Sequence, residues 1–533
     1  MSQDLSTYLR ETLGPREVAL TPGQGLVRLL VGRESLPDAA RALAGPLEAR
    51  LLTAMGRDQR MEHNSYTIHY LFWLPRHRAY LDLVAELPPD DPSFPSLAAL
   101  LPAADWPERE TRDLLGLLPR GHPHPTPLLH RESWPLDYYP LRKDAAPMSP
   151  VSGALGVPSI DPGARMGTLV GVVRPPHAKA DLGSDSWEET RTGPDDIDGE
   201  PGSRTEAIRL FYGHRGIERL CEGRSLTAAQ SVIERVCGNC ATAHALAFCE
   251  AVEAAAGIEI PDVARTWRAV LLELERIRAH LGWVAALCAA AGCAESGPDV
   301  AALVEPLLAL TAALTESRRA TGAIRPGGLS RTIPGGAGER AREALAPVRE
   351  RWARAHGSLL HNGVLAGRLR GRATLPRGTA ERLGAVGPVA RASGVEMDCR
   401  LDGPPGGSTA HLTGESDPTG GDAAARMRVH LEEIAESLRL LDPLLATAPS
   451  GRHSAPLGWP QTGAQGVGRV EAPEGEHLHW LILGPGQTVE RLHIRSAAYA
   501  CWPAAQEVLA GTVPADFQLD LASFGLCTAC VDR

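Results

Sequence analysis

The chain has 533 residues and a mass of 56.7 kDa, room for about three to five domain-sized units and a core that needs no disulfide staples. With 43% hydrophobic and 22% charged residues, collagen-like, coiled-coil and wholly disordered classes are excluded. A net charge of −10 supplies no cationic field to release counterions from phosphate, which argues against a nucleic-acid partner.

In chain order, the start MSQDLSTYLRETLG lacks the basic-then-apolar pattern of a secretory signal. Residues 1–144 read as one small α/β unit. Ser65–Leu74, rich in β-branched and aromatic residues, predicts a buried strand. His77–Leu87 predicts a short helix. Trp106–Gly116 predicts another, with Pro107 in its first turn and Gly116 as its stop. The Pro- and His-dense run that follows has no period and predicts an extended loop. Residues 145–205 turn to Pro, Gly, Asp and Ser and read as a linker with the entry strands of a second domain.

Residues 206–533 then read as a larger, mainly helical domain, so the fold class expected is α+β. Helices are predicted at Ser225–Ala255, Ile260–Ala291, Val300–Glu316, Ala337–Leu359 and Ala423–Leu445. The segments 266–293 and 300–315 are the most apolar, but both carry charges, so core helices are expected rather than membrane spans. Gly363–Gly394 and Asp402–Asp422 predict loops. HLHWLILG–PGQ–TVERLHIRS predicts a hairpin, and a last short helix is expected around Pro503–Leu509. No Gly-rich phosphate loop stands in a strand–turn–helix context.

Among the ten cysteines two pairs stand out: Cys237/Cys240 in VIERVCGNCATAH, and Cys527/Cys530 in CTAC. A helix N-terminus lowers a thiol's pKa, so the first pair is expected to offer thiolates. Two C-x2-C hooks make an S4 metal site, for which zinc is the commonest occupant and iron–sulfur centres come next. The six other cysteines have no such spacing and are read as small buried hydrophobes.

Three blocks carry a family resemblance. RGIERLCEGRSLTAAQSVIERVCGNCATAH (Arg215 to His244) resembles the N-terminal nickel motif of [NiFe]-hydrogenase large subunits, and CTACVDR (Cys527 to Arg533) their second motif. WPERETRDLLGLLPRGHPHPTPLLHRESWPLDYYPLRKD (Trp106 to Asp144) resembles the 30-kDa subunit of respiratory complex I. The fusion is similar to group 4, energy-converting hydrogenases of the formate hydrogenlyase type, whose larger domain is also like the complex I 49-kDa subunit.

That resemblance implies a Ni–Fe centre with cyanide and carbon monoxide on iron, held by Cys237, Cys240, Cys527 and Cys530. Cys240 and Cys530 would bridge the two metals, and Cys527 would be the terminal thiolate that takes a proton when hydrogen splits. Glu218 matches a carboxylate for a second site holding magnesium or iron; its alternative is a plain surface glutamate. His244 matches a histidine beside a bridging cysteine; its alternative is an ordinary core histidine. Many members lose a tail after the third residue beyond the last cysteine; this sequence stops there, at Arg533, as a mature form or a gene without a tail would.

Three departures qualify the match. Where the family carries arginine in E-x-P-R-G-E, this chain reads EAPEGE and places Glu474. That carboxylate would either relay protons or abolish the chemistry; a generic acidic turn is the bland reading. The family's proton-passing glutamate has no clear counterpart, and Asp181 with His177 are the nearest candidates. The loop Ser184–Ser203 is expanded and acidic. No cluster ligands remain once the four cysteines are assigned. The expected partners are therefore a small iron–sulfur subunit like that of complex I, and membrane-arm subunits fixing the chain to the inner face of the cell membrane. The expected reaction interconverts hydrogen with protons and electrons. The alternative is a complex I-like electron-transfer or scaffold subunit with an inactive or structural metal site.

Overall fold

The computed structural model describes residues 26–129, 137–145, 213–293, 295–402, 420–449, 451–513 and 515–533, the backbone of 18–21, and the single residues 7, 9, 208, 210 and 211. The N-terminal part is a five-stranded sheet of β1 (Val18–Thr21), β2 (Leu26–Val31), β3 (Arg50–Gln59), β4 (Ser65–Leu74) and β5 (Ala79–Leu87), in the order β1-β2-β5-β4-β3. Only β2 and β5 pair in parallel; the other neighbours are antiparallel. Helix α1 (Leu36–Ala44) follows β2, and α2 (Asp105–Leu115) packs on β3. β4 forms as expected. The segment read as a helix from His77 is instead a short 3-10 turn, Pro75–His77, and then β5. The reason is its position in the sheet: the segment is paired on both sides, with β2 and with β4, and is buried almost throughout.

The larger part is mainly helical. The helix expected over Ser225–Ala255 is two helices, α3 (Leu226–Ile233) and α4 (Ala241–Ala256). The first cysteine hook interrupts them, with Cys240 at the N-cap of α4. The long α5 (Asp262–Ala290) packs along α6 (Ala423–Ala446), close to the expected bounds. Gly363–Gly394, expected to be loop, contains three short helices, Gly363–Leu369, Arg377–Arg382 and Gly387–Ala392. Most of Asp402–Asp422, and all of 146–207 with its expected linker, entry strands and acidic loop, lie outside the described residues.

The predicted hairpin gains a third strand. β6 (Gln465–Ala472), β7 (Gly475–Gly484) and β8 (Thr488–Arg495) form an antiparallel meander. Helices α7 (Ala497–Leu509) and α8 (Phe517–Phe524) lead to the second cysteine hook; α7 starts earlier than expected. Strand β6 lies directly on α4. A Cβ on Gly466 or Gly468 would come within 1.9 Å of the carbonyl oxygens of Ala251 or Ala247, so glycine there sets the close approach.

The two sheets meet through an apolar contact: Leu26, Leu52, Met55, Leu71, Trp73 and Tyr80 against Val467, Leu478, Trp480 and Ile482. Polar ties run beside it. Arg491 donates to the carbonyl of Gly56 at 3.2 Å and Arg495 to that of Leu52 at 3.0 Å. Among the described residues one stretch, Ser296–Thr315, is long and apolar enough by length and composition to cross a membrane. Here it is helix broken at 302–303, and Leu303, Leu307 and Leu310 point into the core.

Candidate metal centre

The two hooks, 290 residues apart, converge. Cys237 Sγ lies 3.5 Å from Cys527 Sγ, and Cys240 Sγ lies 3.3 Å from Cys530 Sγ. Cys237, Cys240 and Cys530 are buried and Cys527 is part-exposed. Three of the sulfurs, Cys237, Cys527 and Cys530, lie within 4.8 Å of one another, and so do Cys240, Cys530, His244 and His477 through one donor atom each.

Local sequence explains each hook. The amides of Thr242 and Ala243, in the open first turn of α4, donate to the carboxylate of Glu275 at 2.8 and 2.9 Å. Arg278 donates to the carbonyl of Asn239 at 2.8 Å, and Arg319 to that of Gly238. The second hook is set by Gly525, where α8 ends at φ +63°; a Cβ there would lie 2.0 Å from the Trp283 indole nitrogen. Arg215 ties the hooks together. Its guanidinium donates to the carbonyls of Arg235 (3.1 Å) and Val236 (2.8 Å) on one side, and of Ala529 (2.6 Å) and Asp532 (3.2 Å) on the other.

The sulfurs titrate as a group. Hydrogen bonds from Cys240, Cys527 and Cys530 push the Cys237 thiol well below its usual range. The resulting thiolate holds the thiols of Cys240, Cys527 and Cys530 well above theirs. The group thus favours one thiolate, and a bound cation would favour release of the further protons.

Glu474 lies on the two-residue turn between β6 and β7 and faces this group. The residue is part-exposed, but its Oε2 is buried without a hydrogen-bond partner. Burial, then the Cys237 thiolate, hold its carboxyl well above the usual range, against the backbone N–H of Cys527, which donates to it. His244 lies with its Nε2 3.6 Å from Cys530 Sγ and its Nδ1 3.1 Å from His479 Nε2. Burial keeps His244, His477 and His479 neutral.

Glu218 is not in the sulfur group. It is buried among basic side chains: Arg491 donates to it at 2.9 Å, His493 Nδ1 lies at 3.3 Å and Arg533 Nε at 3.5 Å. Burial alone would raise its carboxyl, but His493, Arg491 and Arg533 hold it well below the usual range. Asp181 and His177 lie outside the described residues. Arg215, Glu275, His477 and His479 belong to the site without being expected from sequence. The alternation H-x-H after a turn carries a signal for the last two, since alternate residues of a strand share a face.

Comparison with known proteins places the chain among relatives of two kinds. The respiratory-chain NADH dehydrogenase 30 Kd subunit family matches residues 29–151, the nickel-dependent hydrogenase family residues 215–290, and the respiratory-chain NADH dehydrogenase 49 Kd subunit family residues 302–462. Hydrogenase-4 component G of Escherichia coli is 32% identical over 519 residues, 96% of this chain and 89% of the relative. Formate hydrogenlyase subunit 5 of the same organism is 29% identical over 508 residues, 93% and 87% of the two chains. The membrane-bound hydrogenase alpha subunit of Pyrococcus furiosus is 29% identical over 355 residues, 61% of this chain and 80% of the relative. On these matches the chain belongs to the group 4 [NiFe]-hydrogenase large subunits fused to a complex I 30-kDa-like domain.

Proposed function

We propose that this chain is the nickel-bearing large subunit of a hydrogenase complex, with residues 1–144 as a 30-kDa-like docking domain and 206–533 as the metal-bearing domain joined by 145–205. The observation that carries the reading is the convergence of Cys237, Cys240, Cys527 and Cys530, four soft donors that suit nickel and iron better than magnesium or calcium. When bound, the Ni–Fe centre supplies the heterolytic splitting of hydrogen, and cyanide with carbon monoxide would complete the iron.

The chain's own residues do the rest. Cys237, Cys240, Cys527 and Cys530 would hold the centre, Cys240 and Cys530 serving both ions. Cys527, the part-exposed thiol of the four, would take the proton. Glu474, whose carboxyl is raised above its usual range by burial and the Cys237 thiolate, would take up that proton on one oxygen as it gives up its own from the other, and so pass it on. Asp181 stays the nearest candidate for the family's proton-passing carboxylate. At Glu218 the positive charge a second metal would bring is already brought by Arg491 and Arg533. Electrons leave through an iron–sulfur partner subunit, and membrane-arm partners place the chain at the inner face of the cell membrane. Hydrogen oxidation with an artificial acceptor tests the activity: the complex turns over, and Cys530→Ser does not.

A second reading, an electron-transfer or scaffold subunit with an idle metal, is favoured by one observation: a carboxyl, not a guanidinium, faces the sulfurs at position 474. Nickel bound in the complex with no hydrogen turnover would select it.

A further inference from the structure

Of the six cysteines outside the two hooks, five are buried and Cys293 is half-buried. Cys293 stands just beyond the end of α5, and Cys288 lies fully buried in the last turn of that helix. The backbone between them closes in a defined way. The Cys293 amide donates to the carbonyl of Cys288 at 2.9 Å, and the Gly292 amide to that of Ala289 at 3.0 Å. Gly292 takes φ +76°. Two such bonds around a left-handed glycine make a Schellman end, in which the residue after the glycine commonly packs its side chain on the residue whose carbonyl it uses. Here both of those residues are cysteines.

A disulfide needs α-carbons about 4.4–6.8 Å apart. Residues joined by a backbone hydrogen bond come that near, as hydrogen-bonded partners in antiparallel strands do at about 5.5 Å. Burial, and then the neighbouring Cys293 thiol, raise the Cys288 thiol to about 11. The two thiols thus differ as an attacking and a resolving thiol differ: Cys293 is reachable from solvent, whereas Cys288 is enclosed and holds its proton.

We propose that Cys288 and Cys293 form a reversible thiol–disulfide pair, a modification site closed by a low-molecular-weight disulfide of the glutathione class. The Cys293 thiolate attacks one sulfur of that disulfide, breaks its S–S bond and releases one small thiolate, which takes up a proton. The Cys288 thiol then gives up its proton and attacks the Cys293 sulfur. The mixed S–S bond breaks, the Cys288–Cys293 bond forms and the second small thiol leaves. Two protein thiols are oxidised, and one small disulfide is reduced to two thiols. The burial of Cys288 makes the second step the slow one. The closed bond staples the end of the helix whose Glu275 and Arg278 hold the first hook. The pair uses neither the hook cysteines nor hydrogen turnover, so it and the hydrogenase reading can fail separately.

The test uses the full chain, reduced and then held with excess oxidised glutathione. The reaction is quenched with N-ethylmaleimide before unfolding, and labelling is completed in denaturant. Cleavage after arginine frees residues 279–318, a peptide in which Cys288 and Cys293 are the only cysteines. From the unmodified chain this peptide should carry no maleimide and be two hydrogens lighter; after a reductant it should take two maleimides. Cys288→Ser removes the resolving thiol and should leave glutathione on Cys293. Two free thiols in the treated peptide, a glutathione adduct that persists on Cys293 in the unmodified chain, or a bridge to any other cysteine would each overturn the proposal. The peptide from the unmodified chain decides even if the variant does not fold.

Discussion

Arg533, three residues after the last hook cysteine, forms a buried ion pair with Glu110 of α2, its Nη2 lying 2.9 and 3.0 Å from the two carboxylate oxygens. The guanidinium stacks 4.4 Å above the Tyr499 ring and also reaches Glu218. The N-terminal unit is therefore bonded to the segment that follows the second hook, which ties the seating of that unit to the sulfur site. Removing one partner of a buried pair leaves a bare charge and costs about 3–5 kcal/mol. Arg533→Ala should lower the free energy of unfolding by an amount of that order, with a lower denaturation midpoint, and loosen bound metal. Glu110→Gln, which still accepts a hydrogen bond, should cost less. Unchanged midpoints in both would show the pair to be idle.

Arg215 should matter to metal retention more than to the fold. Its four carbonyl contacts hold the hooks in register, and losing such outer partners typically costs 10–100-fold in metal affinity. We expect Arg215→Ala to shed metal about that much faster at a nearly native circular dichroism spectrum. Retention equal to the parent chain would refute this.

Glu474 separates relay from impairment. Glu474→Gln keeps shape and removes the titrating proton, so hydrogen turnover should fall sharply if the carboxyl relays protons. Glu474→Arg restores the residue that the family pattern places there and should raise hydrogen oxidation if the natural chain is merely impaired. Turnover unmoved by either change would leave Glu474 without a part in the chemistry.

Glu108 makes the N-terminal unit's stability depend on pH. Burial raises its carboxyl from the ordinary 4.5 to about 7, although Ser96, Tyr70 and the Leu97 amide all donate to it. The folded state then binds a proton that the unfolded state has lost. That stabilisation is full below about pH 4.5 and declines as pH rises to about 7, a total of about 3 kcal/mol. Glu108→Gln should flatten the dependence and be more stable than the parent at pH 8. Parallel stability profiles for the two proteins between pH 5 and 8 would contradict it.

How much of the molecule is legible in its sequence depends on what kind of signal each part leaves. The hooks declare themselves by spacing, and Gly116 marks the end of α2 at φ +77° because few other residues take that conformation. β5 reads as a helix because its apolar alternation sits beside helix-favouring Ala and Leu, and only pairing with β2 and β4 decides between them. α3 and α4 look continuous because a hook of four residues barely disturbs the apolar pattern. Arg215 leaves no trace at all: its partners are carbonyls, which every residue has. His477 gains meaning only when glycines 466 and 468 bring the meander against α4 and aim one face of β7 at the cysteines.

That the converging sulfurs hold nickel is tested most directly by elemental analysis of the complex, purified from nickel-replete cells able to assemble such centres. One nickel per chain is expected, lost in Cys530→Ser because that thiolate serves both ions. No nickel above background in the unmodified complex, whatever other metal it carries, would contradict the assignment.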